Sequence, residues 1–322
     1  GLHLPASSGP AHAAAGQGRE AQLAGGVDAA PSLLRCLRTL TGHKDCVCCV
    51  AALGDGRVAS GSDDGTIRTW DVASGRCLAA LTGHEDTVCG VAALGCDRLV
   101  SASKDKTVRV WSAEGGPCIS TMRGHRRTVS CVAALGPGRV VSGAFDRSLR
   151  VWDVEGGRCV SALEGHTDVV VCLAELGGGR IASGSNDRSV ALWEAASGLR
   201  LRRLQGHRLC VCSVAALGAG GVVSGSKDMS VKVWDGDSGE CLRTLEGHQS
   251  YVRSVAVLPG AACIASASSD RTLRLWNTAT WQCILSREGH ADSVVCIALL
   301  ADCIATGSDD GTLKLWGPTA GL

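Results

Sequence analysis

The chain repeats one short pattern seven times: a Gly-His dipeptide is followed 26 to 28 residues after its histidine by a tryptophan. The histidines recur every 41 residues, with one interval of 42. Self-similarity at this period predicts one supersecondary unit copied seven times. Because a single copy cannot bury its own apolar faces, the copies must stack into one continuous array. This repeat therefore limits the chain to a solenoid or a propeller before composition is considered.

Two more positions recur in every copy. An aspartate lies six residues before each tryptophan, and a serine or threonine lies ten residues before it. With these four positions in register, residues 35–316 resemble the WD40-repeat family. The resemblance implies an all-β fold, a seven-bladed propeller, in which each repeat forms a structural tetrad of hydrogen-bonded side chains. The implied tetrads are His43, Ser60, Asp64, Trp70; His84, Ser101, Asp105, Trp111; His125, Ser142, Asp146, Trp152; His166, Ser183, Asp187, Trp193; His207, Ser224, Asp228, Trp234; His248, Ser266, Asp270, Trp276; and His290, Thr306, Asp310, Trp316.

Each repeat contains four short apolar runs separated by Gly-rich turns, in the first copy at residues 47–53, 57–62, 66–71 and 77–81. Such runs predict four antiparallel strands and hence one blade. After Trp316 only six residues remain, too few for a fourth strand in the last blade. Residues 36–40 match residues 241–245, a fourth strand of another repeat. We therefore expect the N-terminal strand to complete the last blade and close the ring.

Composition divides the chain into two parts. Residues 1–32 are rich in Ala and Gly with three prolines, which predicts a disordered tail or linker, and residues 33–322 are expected to form one monomeric propeller. The net charge of +1 indicates no bulk attraction to nucleic acid or anionic membranes. The sequence shows neither a long apolar span nor a leader, so we expect a cytoplasmic or nuclear protein.

The 18 cysteines are mostly placed by the repeat. Six lie seven residues before a repeat histidine (Cys36, Cys77, Cys118, Cys159, Cys241, Cys283), and four lie six residues after one (Cys49, Cys131, Cys172, Cys296). This phase favours core packing over disulfides. The cysteine runs at 46–49 and 210–212 lack the paired spacing of a zinc site, so no metal or cofactor is expected.

Function is expected at exposed positions where the seven copies differ. In the WD40 family, the loops entering the first strands and the turns between second and third strands share one face, the top face. Three positions per repeat point there: three and five residues after the histidine, and the residue before the aspartate. Both Phe145 and Tyr251, the chain's one Phe and one Tyr, occupy such positions. The predicted partner-binding residues are Phe145, Tyr251, Arg253, Lys104, Lys227, Asp63, Asp309, Val169 and Val171.

These residues predict a partner segment with an apolar anchor and charges of both signs, because aromatic anchors dominate protein interfaces. Asp63 and Asp309 are expected to form an acidic edge, with Lys104, Lys227 and Arg253 as separate positive points. Nucleic acid is not expected, since Arg126 and Arg127 have few stacking aromatics near them.

Trp281 stands where most repeats have glycine in the turn between third and fourth strands, on the bottom face. It either folds back onto the blade edge or marks a second contact.

The sequence therefore predicts a non-catalytic scaffold that binds a protein or peptide. One alternative is the substrate-recognition domain of a ubiquitin ligase whose catalytic or adaptor-binding part lies outside this chain. Another is an enzyme using the central channel, which is disfavoured because every histidine beyond the tail belongs to the repeat.

Overall fold

The computed structural model describes residues 34–318 except 96, 137 and 219; the predicted tail, residues 1–32, lies outside the described residues. The described chain forms short strands joined by tight turns. Their bounds are Arg35–Leu40 (β1), Val47–Gly54 (β2), Arg57–Ser62 (β3), Ile67–Asp71 (β4), Cys77–Leu81 (β5), Val88–Leu94 (β6), Arg98–Ser103 (β7), Thr107–Ser112 (β8), Ser120–Arg123 (β9), Val129–Ala134 (β10), Arg139–Ala144 (β11), Ser148–Asp153 (β12), Arg158–Glu164 (β13) and Val170–Gly177 (β14).

The remaining strands are Arg180–Ser185 (β15), Ser189–Glu194 (β16), Arg200–Gln205 (β17), Val211–Leu217 (β18), Gly221–Ser226 (β19), Val231–Asp235 (β20), Cys241–Leu245 (β21), Val252–Val257 (β22), Cys263–Ser268 (β23), Thr272–Asn277 (β24), Cys283–Glu288 (β25), Val294–Leu299 (β26), Ile304–Ser308 (β27) and Leu313–Gly317 (β28). A 3₁₀ turn, Pro259–Ala261, precedes β23.

The strands form seven antiparallel sheets of four, the blades of a propeller. Blade 1 is β2 to β5, the next five blades follow in chain order, and blade 7 combines β26, β27 and β28 with β1. The first strands of neighbouring blades contact one another, and β2 also contacts β26, so these strands line a closed ring. The predicted seven-bladed propeller is confirmed. In blade 1, β2 and β4 differ from the predicted runs by one residue at one end each.

Closure depends on β1, which pairs antiparallel with β28 from Arg35↔Gly317 to Leu40↔Leu313. Leu40, only 2% exposed, packs in a cluster with Val47 of blade 1 and Leu315 of blade 7. The N-terminal strand therefore completes the last blade, as its sequence predicted, and supplies apolar contacts to both neighbours.

The apolar core lies between blades. In each of the seven clusters, a blade's tryptophan packs against residues of the preceding blade; Trp111 of blade 2, for example, meets Ile67 and Leu81 of blade 1. The blades approach closely, and the second strand carries glycine at the contact in five blades and alanine in the other two. A Cβ at Gly61 would lie 2.6 Å from Val88 Cγ1 and 2.7 Å from Cys49 Sγ. Both faces of a blade are thus covered by its neighbours.

The cysteine prediction was half right. The described cysteines are all free, and Cys49, Cys131, Cys172 and Cys296 are buried between blades. The other repeat-phased group does not pack in the core: Cys36, Cys77, Cys241 and Cys283 are exposed, and Cys118 and Cys159 are half-buried. Five of them lie on the outermost strands, which only one neighbouring strand covers, and Cys118 lies two residues before such a strand, β9. Each of these thiols donates a hydrogen bond to the backbone carbonyl two residues later, at 3.1–3.4 Å.

Candidate functional site

The four repeated polar residues form the same hydrogen-bonded chain in all seven blades. The tryptophan Nε1 lies 2.7–2.8 Å from the Ser or Thr hydroxyl oxygen. The same oxygen lies 2.7–2.8 Å from the histidine Nε2. The histidine Nδ1 lies 2.6–3.0 Å from an aspartate oxygen.

Donor chemistry fixes the direction of this chain. Indole N–H can only donate, so the hydroxyl accepts from tryptophan, and with a neutral histidine protonated on Nδ1 the hydroxyl donates to Nε2. The Nδ1–H then donates to the aspartate, which also accepts backbone N–H bonds; for Asp64 these come from Lys44 at 3.0 Å and Thr66 at 2.9 Å. The tetrad thereby ties the loop entering the first strand to the turn between second and third strands. All seven hydroxyl residues are 0% exposed, so a substrate cannot reach them as it reaches a hydrolase nucleophile.

Burial lowers the pKa of three tetrad histidines, and hydrogen bonding lowers the pKa of the seven tetrad aspartates. Burial lowers the pKa of His43, His125 and His290 below 6.5, outweighing the attraction of their aspartates. For Asp64, burial acts to raise the pKa, but hydrogen bonds from Thr66, the Lys44 backbone and His43 outweigh it and hold the pKa well below 3.8. Both shifts favour a neutral histidine beside an ionised aspartate.

Acid should therefore destabilise the propeller in two stages. Between the lowered histidine pKa values and 6.5, the unfolded chain binds more protons than the folded one, so the free energy of unfolding falls as pH drops below 6.5. The lowered aspartate values add a second loss below about pH 4. Both losses of stability can be measured as shifts of the urea unfolding midpoint between pH 7.5 and 3.5. Midpoints that rise from pH 7 to pH 5.5 would instead indicate charged His–Asp ion pairs and contradict the neutral histidines.

On the top face, the positions that differ between repeats lie side by side. In every blade the backbone N–H of the residue before the aspartate donates to the carbonyl of the residue three after the histidine, at 2.9–3.1 Å. In blade 3, for example, Phe145 N donates to Thr128 O at 2.9 Å. The tetrad and this bond together hold two variable side chains of each blade at the rim of the channel.

A cavity of about 530 Å³ occupies the mouth of the channel on this face. Eight of the predicted partner-binding residues line it: Asp63, Lys104, Phe145, Val169, Val171, Lys227, Arg253 and Asp309. Tyr251 is not among the described lining residues; its ring lies 5.8 Å from Lys227 Nζ. Phe145 is 43% exposed and Tyr251 44% exposed. The structure thus gathers eight of the nine residues around one opening.

The charges of the cavity differ from the sequence prediction in one respect. Lys104 is not a separate positive point, because its Nζ lies 3.6 Å from Asp63 Oδ1. The same Asp63 oxygen accepts a hydrogen bond of 2.8 Å from the Thr87 hydroxyl, a contact that the sequence did not reveal. The side chains of neighbouring blades reach across the blade boundary, which aligned repeats alone cannot show.

Thiols line the same cavity at Cys48, Cys89, Cys210 and Cys212. Burial raises the pKa of Cys89 to about 11 and contributes to keeping Cys48 protonated. Cys212 differs: a hydrogen bond from Cys210, with Arg253 and Lys227 nearby, lowers its pKa.

Within the described residues, one group of potential metal ligands lies together: Asp45, Cys46 and Asp63, whose ligand atoms are within 4.8 Å of one another. Burial and the carboxylates of Asp309, Asp45 and Asp63 raise the pKa of the Cys46 thiol to about 11. A protonated thiol is a poor metal ligand. These residues do not resemble a built metal site.

A second cavity of about 380 Å³ lies between blades 3 and 4, beside the first. We call it the blade 3–4 groove; its lining residues are Arg126, Arg127, Phe145, Asp146, Arg147, Thr167, Asp168 and Val169. The aligned repeats did not indicate Arg147, because it lies one residue after the repeat aspartate, outside the three positions expected to point to the top face. The equivalent position carries Lys, Arg or Met in five blades, each at a φ of 68–71°. In these blades the side chain projects from a strained turn.

Trp281 lies on the edge of its own blade and packs against the preceding one. It takes a φ of 60°, a backbone conformation that glycine adopts at the equivalent positions 75, 198 and 239. The ring is half-buried against a cluster that includes Leu245, and Arg243 lies 5.8 Å from it. Of the two roles left open by the sequence, this geometry favours packing over a free bottom-face contact.

Comparison with known proteins gave two findings. The family model "WD domain, G-beta repeat" matches residues 34–71, 75–112, 116–153, 157–194, 198–235, 239–277 and 281–317. A 41-residue segment is 61% identical to the vegetative incompatibility protein HET-E-1 of Podospora anserina, covering 12% of this chain and 3% of that protein. The described residues form no helix with the length and apolar character of a membrane span.

Proposed function

The chain belongs to the WD40 family, whose propellers typically serve as protein-interaction scaffolds, and we propose that it holds a protein or peptide partner on its top face. The observation that carries this proposal is the convergence of the non-repeated side chains on one opening. Eight of them line the central cavity, although they come from all seven blades. Each matching repeat begins with the fourth strand of one blade and continues into the first three strands of the next. The repeats therefore build the ring, and the residues that vary between repeats give the binding surface its specificity.

Aromatic exposure supports the same face. The chain has one Phe and one Tyr, and both are more than two-fifths exposed at the rim of the channel rather than packed in the core. Exposed aromatic side chains next to charged groups are the usual anchors of a binding surface. Arg253 and Lys227, which line the cavity with Phe145, can add charged contacts to such an anchor.

The proposed role is non-catalytic, in a monomeric propeller of the cytoplasm or nucleus. All seven tetrad histidines have both ring nitrogens occupied by hydrogen bonds to their own blades. The Ser or Thr that each of these histidines contacts is 0% exposed, so a substrate has no access to the pair. The same top face would serve if the chain were the substrate receptor of a ubiquitin ligase.

Variants of Phe145 and Arg253 test the proposed face. We expect Phe145→Ala and Arg253→Glu each to reduce partner capture at least about tenfold, since truncated hot-spot residues cost about 2 kcal/mol or more. The measurement is quantitative mass spectrometry of proteins captured by immobilised wild type and variants. Melting temperatures within about 2 °C of wild type would show that the fold is intact.

Matched controls lie away from this face. Leu199→Ala truncates another exposed apolar side chain, 63% exposed in a bottom-face turn, and Arg139→Glu reverses an exposed charge at the bottom end of blade 3. Both controls should capture as wild type does. Unchanged capture by Phe145→Ala and Arg253→Glu, or loss in the controls alone, would move the binding surface off the top face.

A further inference from the structure

The blade 3–4 groove contains three exposed arginines around one cavity: Arg126, Arg127 and Arg147. Arg147 Nη1 donates to the Thr167 carbonyl at 3.5 Å. In the described part of the chain, none of the three guanidinium groups forms an ion pair with a carboxylate. Elsewhere on the top face Lys104 is paired with Asp63, and Lys227 lies over Tyr251. The groove therefore concentrates positive donors that the protein itself leaves unpaired.

The two aspartates of the groove are already engaged by the protein. Asp146 accepts from His125 Nδ1 at 3.0 Å, the Arg126 backbone at 2.9 Å and the Ser148 hydroxyl at 2.7 Å. Asp168 Oδ1 accepts from the Val169 backbone at 2.7 Å. They do not neutralise the arginines directly, but they set the net charge: three arginines and two aspartates leave +1.

The net charge decides which anion fits. A single carboxylate matches a surplus of one positive charge and accepts a bidentate pair of N–H bonds from one guanidinium. A phosphate group carries about two negative charges and would meet the carboxylate of Asp168 as well as the arginines. The lining therefore favours aspartate or glutamate side chains over phosphorylated residues.

An apolar contact adjoins this anion position. Phe145 and Val169 line both the groove and the central cavity, so they form the wall between the two. A side chain neighbouring the bound carboxylate would cover the exposed part of Phe145. From these contacts we propose that the blade 3–4 groove binds an acidic side chain of a partner peptide whose neighbouring apolar residue packs on Phe145. This inference rests on the proposed top-face function.

The remaining charges of the face give the peptide a direction. In a ring of seven, the boundary between blades 3 and 4 lies opposite blade 7. Blades 7 and 1 carry the acidic residues Asp45, Asp292 and Asp309 on the top face, besides Asp63, which is paired with Lys104. A peptide crossing the central cavity from the groove would therefore place its basic end over blades 7 and 1. The partner is an extended segment that is acidic and apolar at one end and basic at the other.

Fluorescence anisotropy with a designed peptide tests this assignment. The probe is a fluorescein-labelled Gly/Ser peptide of about twelve residues, with Leu-Glu-Glu near one end and Lys-Lys near the other, long enough to span the opening. We expect replacement of both Glu by Gln, and the variants Arg127→Glu and Arg147→Glu, each to weaken binding at least about tenfold. Arg139→Glu, on the bottom side of the same blade, should bind as wild type does.

A charge swap sharpens the test. Arg127→Glu should regain affinity for a peptide in which Lys replaces the two Glu, a gain that general loss of folding cannot produce. Absence of binding to wild type, equal loss with Arg139→Glu, or tighter binding of a peptide with phosphoserine in place of Glu would overturn the assignment. Partner capture that depends on Phe145 and Arg253 but not on Arg127 or Arg147 would remove this inference and leave the top-face function standing.

Discussion

Deleting residues 33–41 is expected to lower the melting temperature of the propeller by more than about 10 °C or to abolish its cooperative transition. The deletion removes β1, so blade 7 loses its outer strand and β28 becomes an exposed sheet edge. It also removes Leu40, 2% exposed, whose truncation alone would cost about 2–5 kcal/mol. Differential scanning calorimetry of the shortened and intact chains measures the effect.

Two further variants distinguish the loss of ring closure from the effect of shortening the chain. Deletion of residues 1–30 should leave the melting temperature within about 2 °C of the intact chain. A circular permutant that carries residues 33–41 after residue 318 through a short flexible linker should recover most of the loss, because the same strand can then pair with β28. An unchanged melting temperature after deletion of 33–41 would show that β1 does not close the ring.

Thr306→Val is expected to lower the free energy of unfolding by about 2–5 kcal/mol, the second large effect. Valine keeps the shape of threonine but lacks the hydroxyl that meets both Trp316 Nε1 at 2.7 Å and His290 Nε2 at 2.8 Å. Both nitrogens would then be buried without a partner, and each such group costs about 1–3 kcal/mol. The urea unfolding midpoint at pH 7.5 measures the loss.

Thr306→Ser is the matched control, because serine fills this position in the other six blades and retains the hydroxyl. Loss of one buried methyl group should cost about 1 kcal/mol. If Thr306→Val and Thr306→Ser are equally stable, the hydroxyl does not contribute through its two hydrogen bonds, and the tetrad would be a by-product of packing.

The sequence predicted the blades and their closure because both follow from spacing. Seven copies in register determine strand number, and the match between residues 36–40 and 241–245 identifies the strand that completes blade 7. Aligned copies also indicated which side chains reach the channel mouth, since equivalent positions occupy the same place in every blade, although their exposure ranges from 5% at Thr87 to 44% at Tyr251. Phe145 and Arg253 were predicted in this way, and both line the cavity.

Contacts between unlike repeats could not be read from the alignment. The pairing of Lys104 with Asp63 crosses a blade boundary, and so does the packing of Trp281 near Arg243. The exposure of Cys77 follows from its place on an outermost strand, which a regular spacing from the repeat histidine does not reveal by itself. Arg147 became visible as part of a groove only when two adjacent turns were seen together.

The pairing of β1 with β28 also determines how the propeller is tethered. The two strands are antiparallel, so Leu34 and Pro318 lie at the same end of blade 7, and Pro318 borders a bottom-face cavity with Leu37 and Asp55. A linker or sensor-chip anchor joined at either point would pull on the side away from Phe145. A molecule anchored directly at either residue would present its channel mouth to solution.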